Sequence, residues 1–123
     1  MREIKFRAWD KENKKMSKPF GLFDIYAGRD EAYLPDYTRF GEDNLIIQQY
    51  TGLKDKNGEE IYEGDILKCI GWQREEFVTK VYYDTNRAKF DIKKDDLENF
   101  TISQNNWTLE IIGNIYENPE LIK

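Results

Sequence analysis

Residues 51–67, running TGLKDKNGEEIYEGDIL, constrain the fold more than any other stretch. They compress a turn, a short apolar run, a second turn and the start of a strand. Asn57-Gly58 is a strong turn dipeptide because both residues tolerate positive φ. Gly64-Asp65 is a second break, and residues 66–72 then read as a strand. The pattern that follows has a period of two: Phe77, Thr79, Val81 and Tyr83 share one face, and Val78, Lys80 and Tyr82 the other. Residues 73–76 close the hairpin between these strands. Thr85-Asn86-Arg87 makes the next turn, and Ala88, Phe90 and Ile92 alternate in a third strand. The last strand carries Trp107, Leu109 and Ile111, and residues 113–116 extend it after a bulge. Residues 93–99 are charged and read as a helical turn or an exposed loop. Asn118-Pro119-Glu120-Leu121 reads as a short terminal helix with Asn118 as its N-cap.

Short strands joined by tight turns avoid open edges by curling into a small barrel. The expected fold is mainly β, with α+β as the alternative. A small SH3-like β-barrel is expected in the C-terminal half, residues 51–123, closed by a short helix. Residues 1–50 form an irregular N-terminal subdomain of strands and long aromatic loops packed on that barrel. There Ile4, Phe6 and Ala8 share one face of a first strand. Residues 10–15 turn, residues 29–44 form a structured loop with one helical turn, and residues 45–50 form a strand.

Composition narrows the chemistry. The chain of 123 residues has 7 Phe, 8 Tyr and 3 Trp, enough rings to fill a core with few residues. Its net charge of −5 argues against sequence-independent nucleic-acid binding, which relies on Lys and Arg displacing counterions. With no histidine, Ser–His–Asp and Cys–His catalysis and histidine zinc sites are excluded. The one cysteine, Cys69, forms no intrachain disulfide and fits a reducing cytoplasm. No apolar run approaches a membrane span and no signal-peptide pattern opens the chain. No cofactor and no metal are expected.

Each candidate site has a plainer competing explanation. Residues 55–60, DKNGEE, have the flavour of a calcium loop, but Gly58 falls fourth from Asp55, where such a loop places it sixth. A connecting turn explains them better. Glu63-Gly64-Asp65 offers two carboxylates around a glycine, a place for a cation or a reaction; a turn in which Asp65 caps backbone amides is favoured. Asp91, Glu98 and Glu110 are carboxylates near strands that a glycosidase or metal nuclease would need to bring together. Trp9, Trp72, Trp107, Tyr82 and Tyr83, with Arg74, Lys80 and Lys89 beside them, suit a stacking platform for single strands. Core packing is the favoured role for these rings, and Trp9, off the Ile4–Phe6–Ala8 face, is the expected exception. Cys69 reads as a small buried hydrophobe.

Three blocks, residues 4–10, 49–67 and 112–121, resemble the YopX family of small phage and prophage proteins. The middle block is the most specific, with Tyr50-Thr51-Gly52-Leu53, Asn57-Gly58 and Glu63-Gly64-Asp65-Ile66 in order. The resemblance implies a phage accessory protein in the cytoplasm of a bacterial host, one that self-associates. The expectation is a non-catalytic protein-interaction module, a homo-oligomer with a phage or host protein as partner. The alternative is a nucleic-acid-associated protein on an SH3-like barrel. Trp9, Gly52, Asn57, Gly58, Glu63, Gly64 and Asp65 are the structural or interaction candidates.

Overall fold

The computed structural model describes residues 3–27, 32–34, 39–40, 45–71, 73–94, 97–100 and 107–122. The chain is mainly β and divides into two compact units, Met1–Tyr50 and Thr51–Lys123. No helix among the described residues is long and apolar enough to cross a membrane.

In the first unit β1 (Phe6–Asp10) lies between β2 (Lys15–Met16) and the first half of β6 (Leu45–Lys54), antiparallel to both. Asp10 makes the β1–β2 turn. Its Oδ1 accepts the Glu12 and Asn13 amides and its Oδ2 accepts the Asn13 side chain. The segment after β2 is clasped onto β1, because Phe6 and Phe20 exchange both backbone hydrogen bonds at 2.8 Å. Phe20 thereby joins Ala8 and Leu34 in the core, with Phe6, Ile25 and Leu45 packed against them. The 3-10 turn η1 (Leu22–Asp24) follows, then β3 (Tyr26–Ala27), β4 (Ala32–Tyr33) and β5 (Arg39–Phe40), a small antiparallel sheet of two-residue strands. Where a loop with a helical turn was expected, the described residues are these short strands; 28–31, 35–38 and 41–44 lie outside the described residues.

The second unit holds the end of β6, then β7 (Glu60–Tyr62), β8 (Asp65–Gly71), β9 (Glu76–Asp84), β10 (Lys89–Lys94), β11 (Leu97–Phe100), β12 (Trp107–Asn114) and the 3-10 turn η2 (Pro119–Ile122). The antiparallel order β11-β10-β9-β8-β12 is a meander whose last strand returns beside its first, the connectivity of an SH3-like sheet curled into a half-barrel. Its core is Ile61, Leu67, Cys69, Val81, Ile92 and Leu109, with Leu53, Phe77, Phe90, Trp107 and Ile111 around them. Each buried aliphatic side chain contributes roughly 1.5–3 kcal/mol. Lys68 points to the opposite face of β8 and meets Glu76 at 3.8 Å.

Two local expectations are corrected. The charged stretch 93–99 is neither helical turn nor loop where it is described: Lys94 ends β10 and Leu97 opens β11, paired across a register shift between Ile92 and Lys94. Ladder hydrogen bonds with a neighbouring strand outweigh a charged composition there. Asn118 does not cap η2 with its side chain, which accepts the Asn114 amide at 3.2 Å instead. The bulge in β12 falls between Ile111 and Gly113, as the sequence pattern predicts.

Candidate functional site

The candidates in the second unit form a joint of turns. Gly52, Gly58 and Gly64 all adopt positive φ (91°, 82° and 87°). Gly52 sits within β6 beside Thr51, whose Oγ1 donates to the Ile61 carbonyl at 2.8 Å and so holds β6 to β7. Glu63-Gly64 connects β7 to β8. The Gly64 amide donates to Val81 O at 2.8 Å and its carbonyl accepts the Ile115 amide at 2.9 Å, so this residue fastens the turn to β9 and to the chain after β12. A side chain at that φ costs about 1–2 kcal/mol, which is why the link falls to glycine. Asp65 is 2% exposed and its Oδ2 accepts the Tyr62 amide at 2.8 Å. The turn explanation of Glu63-Gly64-Asp65 thus fits the geometry, and the Asp65 carboxylate faces the protein.

Asp55, in the segment read from the sequence as a connecting turn rather than a calcium loop, organises the other turn. Its Oδ1 accepts the Asn57 amide at 2.9 Å and the Glu59 amide at 3.0 Å. Its Oδ2 accepts the Ile111 amide of β12 at 3.0 Å. The next residue, Lys56, donates its amide to Leu109 O at 2.9 Å and places its Nζ 2.7 Å from Glu110 Oε2. Burial pushes the Asp55 pKa up, but the Ile111, Glu59 and Asn57 amides and the Lys56 charge outweigh it, so the carboxyl lies below its ordinary value. Asn57 and Gly58 complete this turn, with the Gly58 amide on Asp55 O at 3.0 Å. The signal was in the sequence: Asp before Asn-Gly marks a side chain that accepts amides of its own turn.

The remaining chemical candidates are dispersed. Among the described residues no three or more Asp, Glu or Cys side chains are grouped so as to hold a metal ion. Asp91 is fully buried; Oδ1 accepts the Ile92 amide at 2.9 Å and Oδ2 has an ion-pair contact at 3.5 Å to Lys89 but no hydrogen bond. Glu110 is tied to Lys56, and the side chain of Glu98 lies outside the described residues. Burial, then the charges of Asp91 and Asp84, push the Tyr82 phenol up despite Arg87, the wrong direction for a nucleophile. Burial likewise pushes the Cys69 thiol up to about 12.

Trp9 corrects an expectation. It is 7% exposed, because β1 has neighbours on both sides and Trp9 is opposite Met16 on one and Ile46 on the other. Trp107 packs edge-on against Phe77 (5.1 Å, 82°) and Tyr83 against Phe90 (5.1 Å, 74°). Trp72 lies outside the described residues.

The first unit holds a feature the sequence pattern missed. A cleft of about 230 Å³ opens between the start of the chain and η1. Ile4, Pro19 and Phe20 give it apolar walls; Glu3, Lys5 and Asp24 give it charge. Lys5 is held by Glu3 at 3.0 Å and lies 5.8 Å from the centre of the Tyr50 ring. Asp24 Oδ2 accepts the Gly21 amide at 2.7 Å, which fixes η1 at the rim. Phe23, in the middle of η1, is completely exposed, and Ile4 is 52% exposed. The run PFGLFDI, residues 19–25, reads as plain apolar sequence, so nothing in its pattern marks Phe23 as the outward ring.

Residues 5–123 match the family described as YopX protein. The chain belongs to the YopX family. Its fold also resembles solved structures along the whole chain. The crystal structure of protein EF1440 from Enterococcus faecalis is 30% identical, covers 100% of both chains and superposes with a TM-score of 0.66. That of protein yopX from Bacillus subtilis is 20% identical, with 97% of this chain and 98% of that one covered and a TM-score of 0.67. No curated protein matches the chain.

Proposed function

We propose that this YopX-family chain is a non-catalytic protein-interaction module of phage or prophage origin that self-associates in the cytoplasm of a bacterial host. The observation that carries the reading is the wholly exposed Phe23 ring on η1, an anchored turn whose Asp24 lines a cleft together with half-exposed Ile4. A large aromatic side chain left in water on an anchored turn is what an interface anchor requires. The other exposed large apolar side chains among the described residues are Ile47, Val78, Tyr83 and Leu121. The groups that catalysis would need are otherwise engaged: Asp55 and Asp65 bind backbone amides, Cys69 is buried, and the Tyr82 phenol is shifted away from ionisation.

The nucleic-acid alternative has less support. Trp9 is buried, Trp107 and Tyr83 pack edge-on against Phe77 and Phe90, and Lys89 is turned to Asp91. A tagged pull-down from infected host lysate, run with and without nuclease, tests the two. Partners that survive nuclease and vanish with Phe23→Asp support the module. Partners lost with nuclease overturn it in favour of nucleic-acid association.

A further inference from the structure

The tip of the 55–58 turn places an electrophile beside a nucleophile. Asn57 is the one Asn in the chain followed by Gly, and no Asp is followed by Gly. In such a pair the next backbone nitrogen can attack the side-chain carbonyl carbon and close a five-membered ring. Glycine eases the attack because it has no Cβ beside that nitrogen. The electrophile here is unguarded. Asn57 and Gly58 are both exposed, and nothing lies within 4 Å of where a Gly58 Cβ would stand. The Asn57 carboxamide makes no hydrogen bond among the described residues; only its backbone amide is engaged. The nucleophile is guarded by one bond, from the Gly58 amide to Asp55 O at 3.0 Å. Asn57, third in this turn, is not at positive φ, so the turn has the type I form with Asn57 ψ near zero. Ring closure needs rotation about that ψ, which breaks the Gly58 bond. The Asp55 carboxylate opposes the rotation, because Oδ1 accepts the Asn57 and Glu59 amides on either side of Gly58.

We propose that Asn57 is a deamidation site whose rate is set by the turn that Asp55 holds. The Gly58 nitrogen loses its proton to solvent and bonds to Asn57 Cγ. The Cγ–Nδ2 bond breaks and ammonia leaves. Water, the only co-reactant, then opens the succinimide. Attack at Cγ gives aspartate; attack at the main-chain carbonyl gives isoaspartate, whose chain runs through the former side chain. Either product sets a new carboxylate between Asp55 and Glu59, and isoaspartate also lengthens the turn by one backbone carbon. Both changes weaken the hold of Asp55 on the Ile111 amide of β12. The modification is one-way, and it is independent of the Phe23 surface.

The test follows the peptide that holds Asn57 by mass spectrometry while the whole protein is kept at mildly alkaline pH. The same is done in urea above the unfolding transition, and with Asp55→Ser and Gly58→Ala. The expected result is conversion at Asn57 ahead of every other Asn in the folded protein, at least about tenfold slower than in the unfolded chain. Asp55→Ser narrows that gap, and Gly58→Ala removes most of the conversion. Hydrogen exchange at the Gly58 amide keeps the test sound even where Asp55→Ser does not fold. In urea below the transition, exchange at Gly58 and conversion at Asn57 should rise in parallel. A folded protein that does not convert while the unfolded chain does overturns the proposal. So do equal rates in the folded and unfolded chains, folded Asp55→Ser at the unaltered rate, conversion undiminished by Gly58→Ala, or Gly58 exchange that rises without conversion.

Discussion

Asp55 shows how much one side chain carries in a small β unit. It is 8% exposed and bonds three amides from two parts of the chain. Hydrogen bonds to a charged group contribute about 1.5–3 kcal/mol, and a buried amide left without its partner costs about 1–3 kcal/mol. Asp55→Ala should therefore lower the unfolding free energy by about 2–3 kcal/mol in urea denaturation. The effect has a pH signature. The folded carboxyl lies below its ordinary value of 3.8, so its contribution is fully present above that value and is lost as pH falls through the folded pKa. Denaturation curves taken between neutral and strongly acid pH should show this loss in the unaltered protein and less of it in Asp55→Asn. Gly64→Ala should cost about 1–2 kcal/mol through its φ alone. Cys69 should stay unreactive toward maleimide at neutral pH until the protein unfolds, because a thiol pushed up to about 12 offers almost no thiolate.

At the scale of elements, legibility followed periodicity and turn chemistry. β8, β9 and β12 carry alternating apolar side chains between Asn, Asp and Gly turns, and each was readable in the sequence, including the bulge before Gly113. β11 was not, because Leu97 is followed by charged and polar residues and only pairing with β10 makes it a strand. Trp9 was misplaced for a related reason: alternation along one strand cannot reveal that neighbours pair with it on both sides. The 51–67 block stood out in the sequence, yet its chemistry turned inward. Its glycines and aspartates connect β6, β7, β8 and β12. A measurement at this scale is amide exchange at Ile111. Its N–H should exchange slowly for an edge-strand amide in the unaltered protein and more than about tenfold faster in Asp55→Asn, a ratio worth 1.4 kcal/mol or more.

Across the whole molecule, the two units divide the work. In Thr51–Lys123 the distinctive sequence builds a half-barrel and covers its edge. In Met1–Tyr50 a less distinctive sequence leaves the Phe23 ring exposed on η1 and Ile4 half-exposed at an open cleft. A fold is written in patterns that repeat along strands, whereas a contact surface is set by which single ring is left outside. That difference explains why the sequence disclosed the scaffold more readily than the surface. The most direct test is the solution mass of the unaltered protein and of Phe23→Asp, measured by light scattering across a concentration series, with circular dichroism confirming equal folding. The expected result is an assembly larger than one chain for the unaltered protein and a monomer for the variant. Equal masses at every concentration, whether both monomeric or both assembled, would contradict it.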